Sequence, residues 1–294
     1  MPRLRSGTAV PNAWRTSREP CACDLSDRLP AGRRLRSTLS MTVAARTPSL
    51  AVILPAAGRS SRFGGGNKLF QPLCGVPVLA RALAPFLAMP EVRQVVIATG
   101  EEAAVRRMLE AAHIDARGKL TFCAGGPTRA HSVRNALACV EAGIEWIAVH
   151  DAARPLVTVE LIQRTLRAAI EHGAAAPALP VDQTIKQANG PLPACVLRTV
   201  PRQSLWAMQT PQIMRRADLE SAFARCGMPL EHITDDIQLL EISGHSVWLV
   251  AGETSNIKIT TAIDLKIAEM LLTEGLAGNS GQRQPTGDAT PAGA

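Results

Sequence analysis

The chain has 294 residues, a formal net charge of +7 and 46% hydrophobic residues, which is ample for one full α/β core. The charge is uneven, because residues 1–46 hold nine Arg, no Lys and three acids (9 − 3 = +6), which leaves 7 − 6 = +1 for the remainder. The high pI therefore does not favour nucleic-acid binding by the folded part. No apolar run is long enough to cross a bilayer, so we expect neither a nucleic acid nor a membrane as partner.

The two ends of the chain differ in composition from its middle. Residues 1–46 are rich in Arg, Ser, Thr and Pro without apolar periodicity, so we expect a disordered basic extension. A targeting peptide and an over-extended gene start before Met41 are both open alternatives. A disordered tail is expected over residues 277–294, which leaves one domain over residues 47–276. The seven cysteines are scattered without Cys-x-x-Cys pairs, which favours a reducing cytoplasm over a zinc site or a disulfide framework.

A glycine-rich basic loop follows the first predicted strand. The apolar run Leu50–Leu54 predicts a buried parallel strand, and it stops at the small residues Pro55–Gly58, which let a backbone approach a ligand closely. The loop beyond is free of acids and carries Arg62 and Lys68, a combination that suits a polyphosphate. It is neither a Walker A loop, because Lys68 is followed by Leu69, nor a Gly-x-Gly-x-x-Gly dinucleotide loop. The alternative is a flexible basic surface loop.

Strands and helices then alternate along the chain, which predicts a mostly parallel sheet with helices on both faces. The further predicted strands are residues 92–99, 120–123, 146–149, 174–181 and 247–250. The predicted helices are residues 77–87, 101–112, 128–142, 158–172, 216–226 and 262–272. The run Thr234–Asp236 predicts an N-cap with acids in the first turn of one more helix.

The alternation breaks over about residues 182–204. Two short extended pieces there flank the turn sequence Asn189-Gly190-Pro191. This pattern favours a β-hairpin arm that projects from the domain over another strand–helix unit.

Ligands of open α/β sheets bind beyond the carboxyl ends of the strands, so the residues that follow each strand form the candidate site. They come from the ends of three predicted strands and from one late segment: Gly58, Arg62, Lys68, Gly126, Arg129, Ser132, Asp151, Arg154 and Lys258. The set is cationic with one carboxylate, Asp151, which either holds Mg²⁺ together with substrate phosphates or caps the next element. We expect the neighbouring His150 to be a packed or capping residue.

The pattern of reactive residues narrows the chemistry. There is no evident Ser-His-Asp or Cys-His arrangement, which argues against hydrolysis through a covalent intermediate. The sequence also shows no pair of carboxylates of the kind that performs acid–base catalysis on sugars. Phosphoryl-type transfer remains, in which positioning and charge neutralisation do most of the catalysis.

Five segments stand in order along about residues 50–272: PAAGRSSRFGGGNK, GGPTRAHSV, VHDAARP, the pair TIK and LWAMQTPQ around the arm, and NIKIT. Together they resemble the 2-C-methyl-D-erythritol 4-phosphate cytidylyltransferase family. The resemblance implies a single Rossmann-like nucleotidyltransferase domain, mostly parallel with helices on both faces, plus the projecting hairpin arm. It also implies transfer of CMP from CTP to methylerythritol phosphate with Mg²⁺, and a homodimer formed through the arm.

The resemblance further implies a role for individual residues. Arg62 and Lys68 would be catalytic, by stabilising charge on the α-phosphate and the leaving pyrophosphate. The CTP-binding residues would be Pro55, Ala56, Ala57, Gly58, Lys68, Gly126, Arg129, Ser132 and Ala152. Asp151 would hold Mg²⁺, and the residues that position the acceptor would be Asp151, Arg154, Thr184, Arg202, Thr210 and Lys258. Because the arm swaps between subunits in this family, Thr184 and Arg202 would act in the neighbour's site.

One departure and two alternatives accompany this interpretation. The family commonly has Asp-Thr before the arm lysine, whereas this chain has Gln183-Thr184 with Asp182 one place earlier, which leaves the substrate contacts there open. A cytidylyltransferase for another polyol phosphate, such as ribitol 5-phosphate, is the nearer alternative. A non-catalytic nucleotide-binding module is the other, although it would be expected to have lost Arg62, Lys68 or Asp151. The tail is too short for the cyclodiphosphate synthase domain of some relatives, so we expect a monofunctional enzyme.

Overall fold

The computed structural model describes residues 47–58, 63, 66–116 and 118–276. The predicted extension over residues 1–46, the predicted tail over residues 277–294 and Arg62 lie outside the described residues.

Strands and helices alternate as the sequence predicts. The strands are β1 (Leu50–Pro55), β2 (Pro72–Leu73), β3 (Val76–Pro77), β4 (Val92–Ala98), β5 (Leu120–Cys123), β6 (Trp146–Val149), β7 (Ala174–Pro180), β8 (Ile185–Ala188), β9 (Val196–Val200), β10 (Trp206–Met208), β11 (Gln212–Arg215) and β12 (Trp248–Ala251). The helices are α1 (Val78–Ala88), α2 (Glu102–Ala111), α3 (Arg129–Leu137), α4 (Val159–His172), α5 (Arg216–Arg225), α6 (Asp236–Ile242) and α7 (Ala262–Thr273), with 3₁₀ turns at Lys68–Phe70 and Leu230–His232.

The main sheet has the strand order β10-β7-β11-β6-β1-β4-β5, and β12 also pairs with β7. The strand pairs β1–β4, β1–β6, β4–β5 and β7–β12 are parallel. The strands β10 and β11 run antiparallel to their neighbours. The mostly parallel α/β sheet is therefore confirmed, and the two antiparallel strands are additions that the alternation of elements did not predict.

The centre of the sheet is buried on both faces: strand β1 is apolar at every position from Leu50 to Leu54, and all five residues are without solvent exposure. Successive side chains of a strand point to opposite faces, so Val52 packs into one hydrophobic cluster and Ile53 into the other. The first cluster includes residues of α1, α2, α4 and α7, and the second includes residues of α3, α5 and α6. Burial of each such side chain contributes about 1.5–3 kcal/mol.

Helix α3 ends at Leu137, so the predicted extension to residue 142 is wrong. The reason is Gln94 of β4, whose side chain is buried beneath the segment that follows the helix. Its Nε2 donates to the carbonyl of Cys139 at 2.9 Å, and its Oε1 accepts from the backbone N–H of Glu141 at 2.8 Å. These bonds hold the segment in a turn instead of further helix.

The N-cap of α6 is Asp235 rather than Thr234, because the Asp235 side chain accepts from the backbone N–H of Gln238. This shift of one residue places Asp236 in the first helical turn, where it is fully buried.

Strands β8 and β9 form a separate antiparallel hairpin, with Ile185 paired to Val200 and Ala188 to Val196. Most of its residues are exposed, and Leu192 at its turn is 89% exposed. Within the described ranges, no helix combines the length and the apolar character needed to span a membrane.

Candidate active site

A cavity of about 710 Å³ lies beyond the carboxyl ends of β1, β5 and β6. It is lined by most of the residues that the sequence singles out: Pro55, Ala56, Ala57, Gly58, Lys68, Gly126, Arg129, Ser132, Asp151, Ala152 and Lys258. The parallel sheet thus brings residues that are 200 positions apart in sequence, such as Gly58 and Lys258, to one edge.

Two glycines let the loop after β5 close one side of the cavity. A Cβ at Gly125 would lie 2.1 Å from the Cβ of Ala57, and a Cβ at Gly126 would lie 2.3 Å from that of His131. The hydroxyl of Ser132 fastens the same loop, since it accepts from Gly126 N–H at 3.0 Å and donates to the Thr128 carbonyl at 3.1 Å. The Ser132 hydroxyl therefore shapes this wall of the cavity as well as lining it.

Asp151 is a buried carboxylate surrounded by three cations. Its Oδ1 lies 3.1 Å from Nε of Arg129, and its Oδ2 lies 3.4 Å from Nε of Arg154 and 3.0 Å from Nζ of Lys258. Burial by itself raises the pKa of this carboxyl, but the three cations, Arg129 foremost, hold the pKa well below its ordinary value. Asp151 is therefore ionised at neutral pH, and the wall around it carries a surplus of positive charge.

Arg129, at the start of α3, also contacts a second carboxylate. Its Nη1 lies 2.8 Å from Oδ2 of Asp236, whose oxygens have no aligned hydrogen-bond donor within the described residues. Burial raises the pKa of Asp236, and Arg129 opposes that rise. Gln212 of β11 fixes the position of this acid, because its Oε1 accepts from the backbone N–H of Asp236 at 2.9 Å and of Ile237 at 3.2 Å.

The sequence pattern predicts Asp236 as part of a helix start, with a conformational role near the site as the open alternative. No local signal distinguishes an exposed acid in the first turn of a helix from one that is buried against an arginine of another helix. The residue could be recognised only once α3 and α6 were seen on the same face of the sheet.

Lys68 and Lys258 supply cations from the other side of the cavity. Lys68 begins the 3₁₀ turn that Asn67 caps through its side chain, and its Nζ donates to the carbonyl of Ile259 at 2.8 Å. Lys258 immediately precedes Ile259 and is half exposed, with its Nζ on Asp151. The loop after β1 and the segment before α7 are thereby joined at the cavity edge.

Two predicted residues, Arg154 and Thr210, lie behind the cavity wall instead of on it. The Nη1 of Arg154 donates to the carbonyl of Asn256 at 2.8 Å. The hydroxyl of Thr210 contacts Asp151 N–H and Nδ1 of His150, each at 3.0 Å. Burial lowers the pKa of His150 to about 4, although Asp151 opposes the shift, so its ring is neutral at neutral pH.

Thr184 and Arg202 lie on or beside the exposed hairpin and do not line the cavity of this subunit. The guanidinium of Arg202 donates to the carbonyl of Asp182 within the same hairpin. In the single chain, Thr184 and Arg202 therefore lie away from the cavity.

Among the described residues, the donors that could hold a divalent cation at the cavity are few. Across the described residues there is no group of three or more His, Cys, Asp or Glu side chains that could hold a metal ion. Asp151 offers a single carboxylate at the cavity, which matches the way Mg²⁺ binds through one or two carboxylates plus substrate phosphate oxygens.

A mostly parallel α/β sheet, with a cationic cavity and one carboxylate at its strand ends, is the arrangement of a nucleotidyltransferase. The family model described as "IspD: 2-C-methyl-D-erythritol 4-phosphate cytidylyltransferase" matches residues 50–274, and the chain belongs to this family. This confirms the resemblance found in the sequence motifs.

Individual relatives agree with the family model. The enzyme of that name from Symbiobacterium thermophilum is 41% identical over 76% of this chain and 93% of its own. The chloroplastic enzyme of that name from Oryza sativa subsp. japonica is 35% identical over 79% of this chain and 77% of its own. The crystal structure of the enzyme of that name from Thermus thermophilus has a TM-score of 0.60 and 34% identity, covering 76% of this chain and 99% of that one.

Proposed function

We propose that the chain transfers the CMP group of CTP to 2-C-methyl-D-erythritol 4-phosphate and releases pyrophosphate, a step in the synthesis of isoprenoid precursors. The observation that carries this proposal is the cavity itself, whose walls hold three cations, Lys68, Arg129 and Lys258, and a single buried carboxylate, Asp151. Such a set of charges complements a triphosphate and a phosphate acceptor together. The names of the relatives supply the acceptor.

The reaction is an in-line displacement at the α-phosphorus of CTP. A phosphate oxygen of the acceptor forms the new bond to phosphorus, and the bond to the pyrophosphate oxygen breaks. Negative charge spreads over several oxygens in the transition state, and Lys68 with Arg62 neutralises it. Cations that are already in place cost no reorganisation at that moment.

The metal-binding role falls to Asp151, together with the phosphates of the nucleotide. When bound, Mg²⁺ neutralises phosphate oxygens and orients them for the displacement. Arg129, Arg154 and Lys258 keep the Asp151 carboxylate ionised and in place before the nucleotide arrives. Lys258 is the most exposed of the three, so its Nζ is the one that can turn toward the acceptor phosphate.

The nucleotide side of the cavity is formed by the loop after β5 and the start of α3. Gly126 presents backbone there, Arg129 presents its guanidinium, and Ser132 fixes the loop. The small residues Ala56 to Gly58 and Ala152 leave room for the base and ribose. Selection of CTP over other nucleoside triphosphates is assigned to these walls.

The complete site is proposed to need two copies of the chain. The hairpin carries apolar side chains that are exposed in the single chain, Leu192, Val196 and Leu197, and Trp206 beyond it is 48% exposed. Burial of this surface in a homodimer would carry Thr184 and Arg202 to the neighbouring cavity. We also assign the protein to a reducing cytoplasm, in keeping with the five free thiols of the described residues.

Pyrophosphate release with CTP tests the assignment. We expect turnover with methylerythritol phosphate, loss of turnover on chelation of Mg²⁺, and much slower turnover when UTP replaces CTP or ribitol 5-phosphate replaces the acceptor. A preference for ribitol 5-phosphate would replace the acceptor in this proposal. Nucleotide binding without any transfer to either acceptor would overturn the assignment as an enzyme.

A further inference from the structure

His150 is a buried imidazole with a partner on each nitrogen. It follows strand β6, has no solvent exposure and packs against Phe86, with ring centroids 5.1 Å apart. Its Nε2 lies 3.2 Å from the carbonyl oxygen of Arg154, and its Nδ1 lies 3.0 Å from Oγ1 of Thr210. A buried polar atom without a hydrogen-bond partner costs free energy, and both ring nitrogens of His150 avoid this cost because each has a partner.

The partners fix which nitrogen carries the hydrogen. A carbonyl oxygen can only accept, so the Nε2 atom that faces the Arg154 carbonyl must be the donor. The neutral ring has one N–H, and therefore Nδ1 accepts from the hydroxyl of Thr210. One of the two lone pairs of that hydroxyl accepts from the backbone N–H of Asp151 at 3.0 Å. The bonds form one directed chain from Asp151 through Thr210 and His150 to Arg154.

A second series of hydrogen bonds also connects Arg154 to Thr210. The Nη1 of Arg154 donates to the carbonyl of Asn256, and Nδ2 of Asn256 donates to the carbonyl of Thr210 at 2.9 Å. Thr210 is 4% exposed and Asn256 is fully buried, so water does not compete for these bonds. The turn from Asp151 to Arg154 is thus held to the chain just before β11 by both backbone and side chain.

We propose that His150 and Thr210 are positioning residues that fix the Asp151 turn, so that the Asp151 carboxylate faces the cavity in the orientation needed to hold the metal. The hydrogen of the Thr210 hydroxyl and one of its two lone pairs are engaged within the protein, at His150 and Asp151. This differs from the acceptor-positioning role that the sequence resemblance implied for Thr210. The role toward metal rests on the proposed function, whereas the hydrogen-bond chain does not.

Thr210→Val tests the proposal, because it removes the hydroxyl and keeps the side-chain shape. We expect the affinity for Mn²⁺ in the presence of CTP, measured by electron paramagnetic resonance, to fall roughly tenfold, as an unmade buried hydrogen bond would cause. The KM for methylerythritol phosphate should stay unchanged. Thr210→Ser keeps the hydroxyl and should retain the affinity of the unchanged chain. A raised KM for the acceptor with unaltered Mn²⁺ affinity would overturn the proposal.

Thr165→Val is the matched control. Thr165 is also a fully buried threonine, but its hydroxyl donates to the carbonyl of Leu161 within α4, at 2.8 Å. This variant loses a buried hydroxyl without touching the Asp151 turn. Equal losses of Mn²⁺ affinity in the two valine variants would contradict a specific role for Thr210.

Nitrogen-15 NMR of the histidine rings in the full, ligand-free chain gives a readout that does not depend on activity. We expect the His150 signal, assigned by its loss in His150→Phe, to show a protonated Nε2 and an unprotonated Nδ1. The opposite tautomer would overturn the hydrogen-bond chain. If the expected tautomer is found but the chain binds no CTP, the chain of bonds stands and the proposed function fails.

Discussion

Nη1 of Arg129 lies 2.8 Å from Oδ2 of Asp236, a carboxylate without solvent exposure. The pair joins the first turn of α3 to the first turn of α6 across the second hydrophobic cluster. Because Arg129 also contacts Asp151, an acid deep in the core helps to set the direction of a cation at the cavity.

Removal of Arg129 should therefore destabilise the fold. Arg129→Ala leaves Asp236 buried without its counter-ion, and breaking a buried pair from one side costs about 3–5 kcal/mol. Asp236→Asn in the same background should recover most of that loss. Urea unfolding measures both changes.

Arg106→Ala is the control, because its partner Glu102 is half exposed and such pairs contribute at most about 1 kcal/mol. Equal losses of unfolding free energy in Arg129→Ala and Arg106→Ala would show that the buried Arg129–Asp236 pair stabilises the fold no more than an exposed pair does.

Asp151 should give the stability of the fold a specific pH dependence. Burial raises the pKa of Asp151, but the cations led by Arg129 lower it by more than burial raises it. The folded-state pKa therefore lies below the unfolded value of about 3.9. As the pH falls below about 4, the unfolded state takes up this proton first, and the stabilising contribution is lost as the pH falls toward the folded pKa. The contribution is fully present above that window.

Asp151→Asn lacks this dependence. The difference in free energy of unfolding between the unchanged chain and the variant should shrink as the pH is lowered from 5 to 3. Denaturant titrations across that range measure it, with Asp182→Asn as a control at an exposed carboxylate. A difference that stays constant down to pH 3 would contradict the expected protonation of Asp151.

Lys68→Ala should retain the fold and lose most turnover. Its ammonium lies at the cavity, and loss of one group that stabilises transition-state charge costs roughly 3 kcal/mol, or about a hundredfold in kcat. Initial rates of pyrophosphate release measure the effect, and thermal unfolding reports the fold. Lys266→Ala removes an exposed lysine from α7 and should leave the rate unchanged. Near-normal turnover of folded Lys68→Ala would exclude the catalytic assignment.

Gly126→Ala should weaken nucleotide binding more than it weakens the fold. The new Cβ would lie 2.3 Å from that of His131, so the loop after β5 must move at the cavity, a strain of about 1–3 kcal/mol. Calorimetric titration with CTP gives the change in Kd. A Cβ at Gly227 meets no atom within 4 Å, so Gly227→Ala is the matched control. Unaltered CTP affinity in Gly126→Ala would show that the loop does not bound the nucleotide.

The proposed exchange of arms predicts complementation between inactive chains. Lys68→Ala and Arg202→Ala should each be inactive as pure dimers, whereas a mixed dimer has one site with neither change and regains activity. Random pairing gives about half mixed dimers with one good site of two, hence about a quarter of normal turnover. Co-expression with two affinity tags isolates the mixed form. No recovery in that form would indicate that Lys68 and Arg202 of one chain serve the same site, which contradicts the exchange of arms.

Much of the sheet and cavity follows from the sequence because the signals are local. The limits of β5 and β6 coincide with short apolar runs, and the small-residue turn after Leu54 follows a strand that is buried on both faces. Once parallel strands are inferred, the rule that ligands bind at their carboxyl ends brings Asp151 and Lys68 together. The cavity confirms that placement.

The features that were missed depend on distant contacts. Gln212 gives no sign in sequence that it is buried in an antiparallel strand, because its burial is offset by hydrogen bonds to the start of α6. Gln94 likewise ends α3 from another strand. The placement of Thr210 behind the wall follows from its bonds to His150 and Asp151, residues about sixty positions away. Polar residues whose partners lie far along the chain carry no periodic signal.

The three cations around Asp151 also bear on how salt should affect encounter with a nucleotide. Their joint field extends beyond the cavity mouth and draws polyanions toward it, and ions in solution weaken that attraction over a Debye length of about 8 Å at physiological ionic strength. Inside the wall, where Asp151 and Arg154 are mostly shielded from water, screening is much weaker. Rising salt should therefore slow the arrival of CTP far more than it hastens its departure.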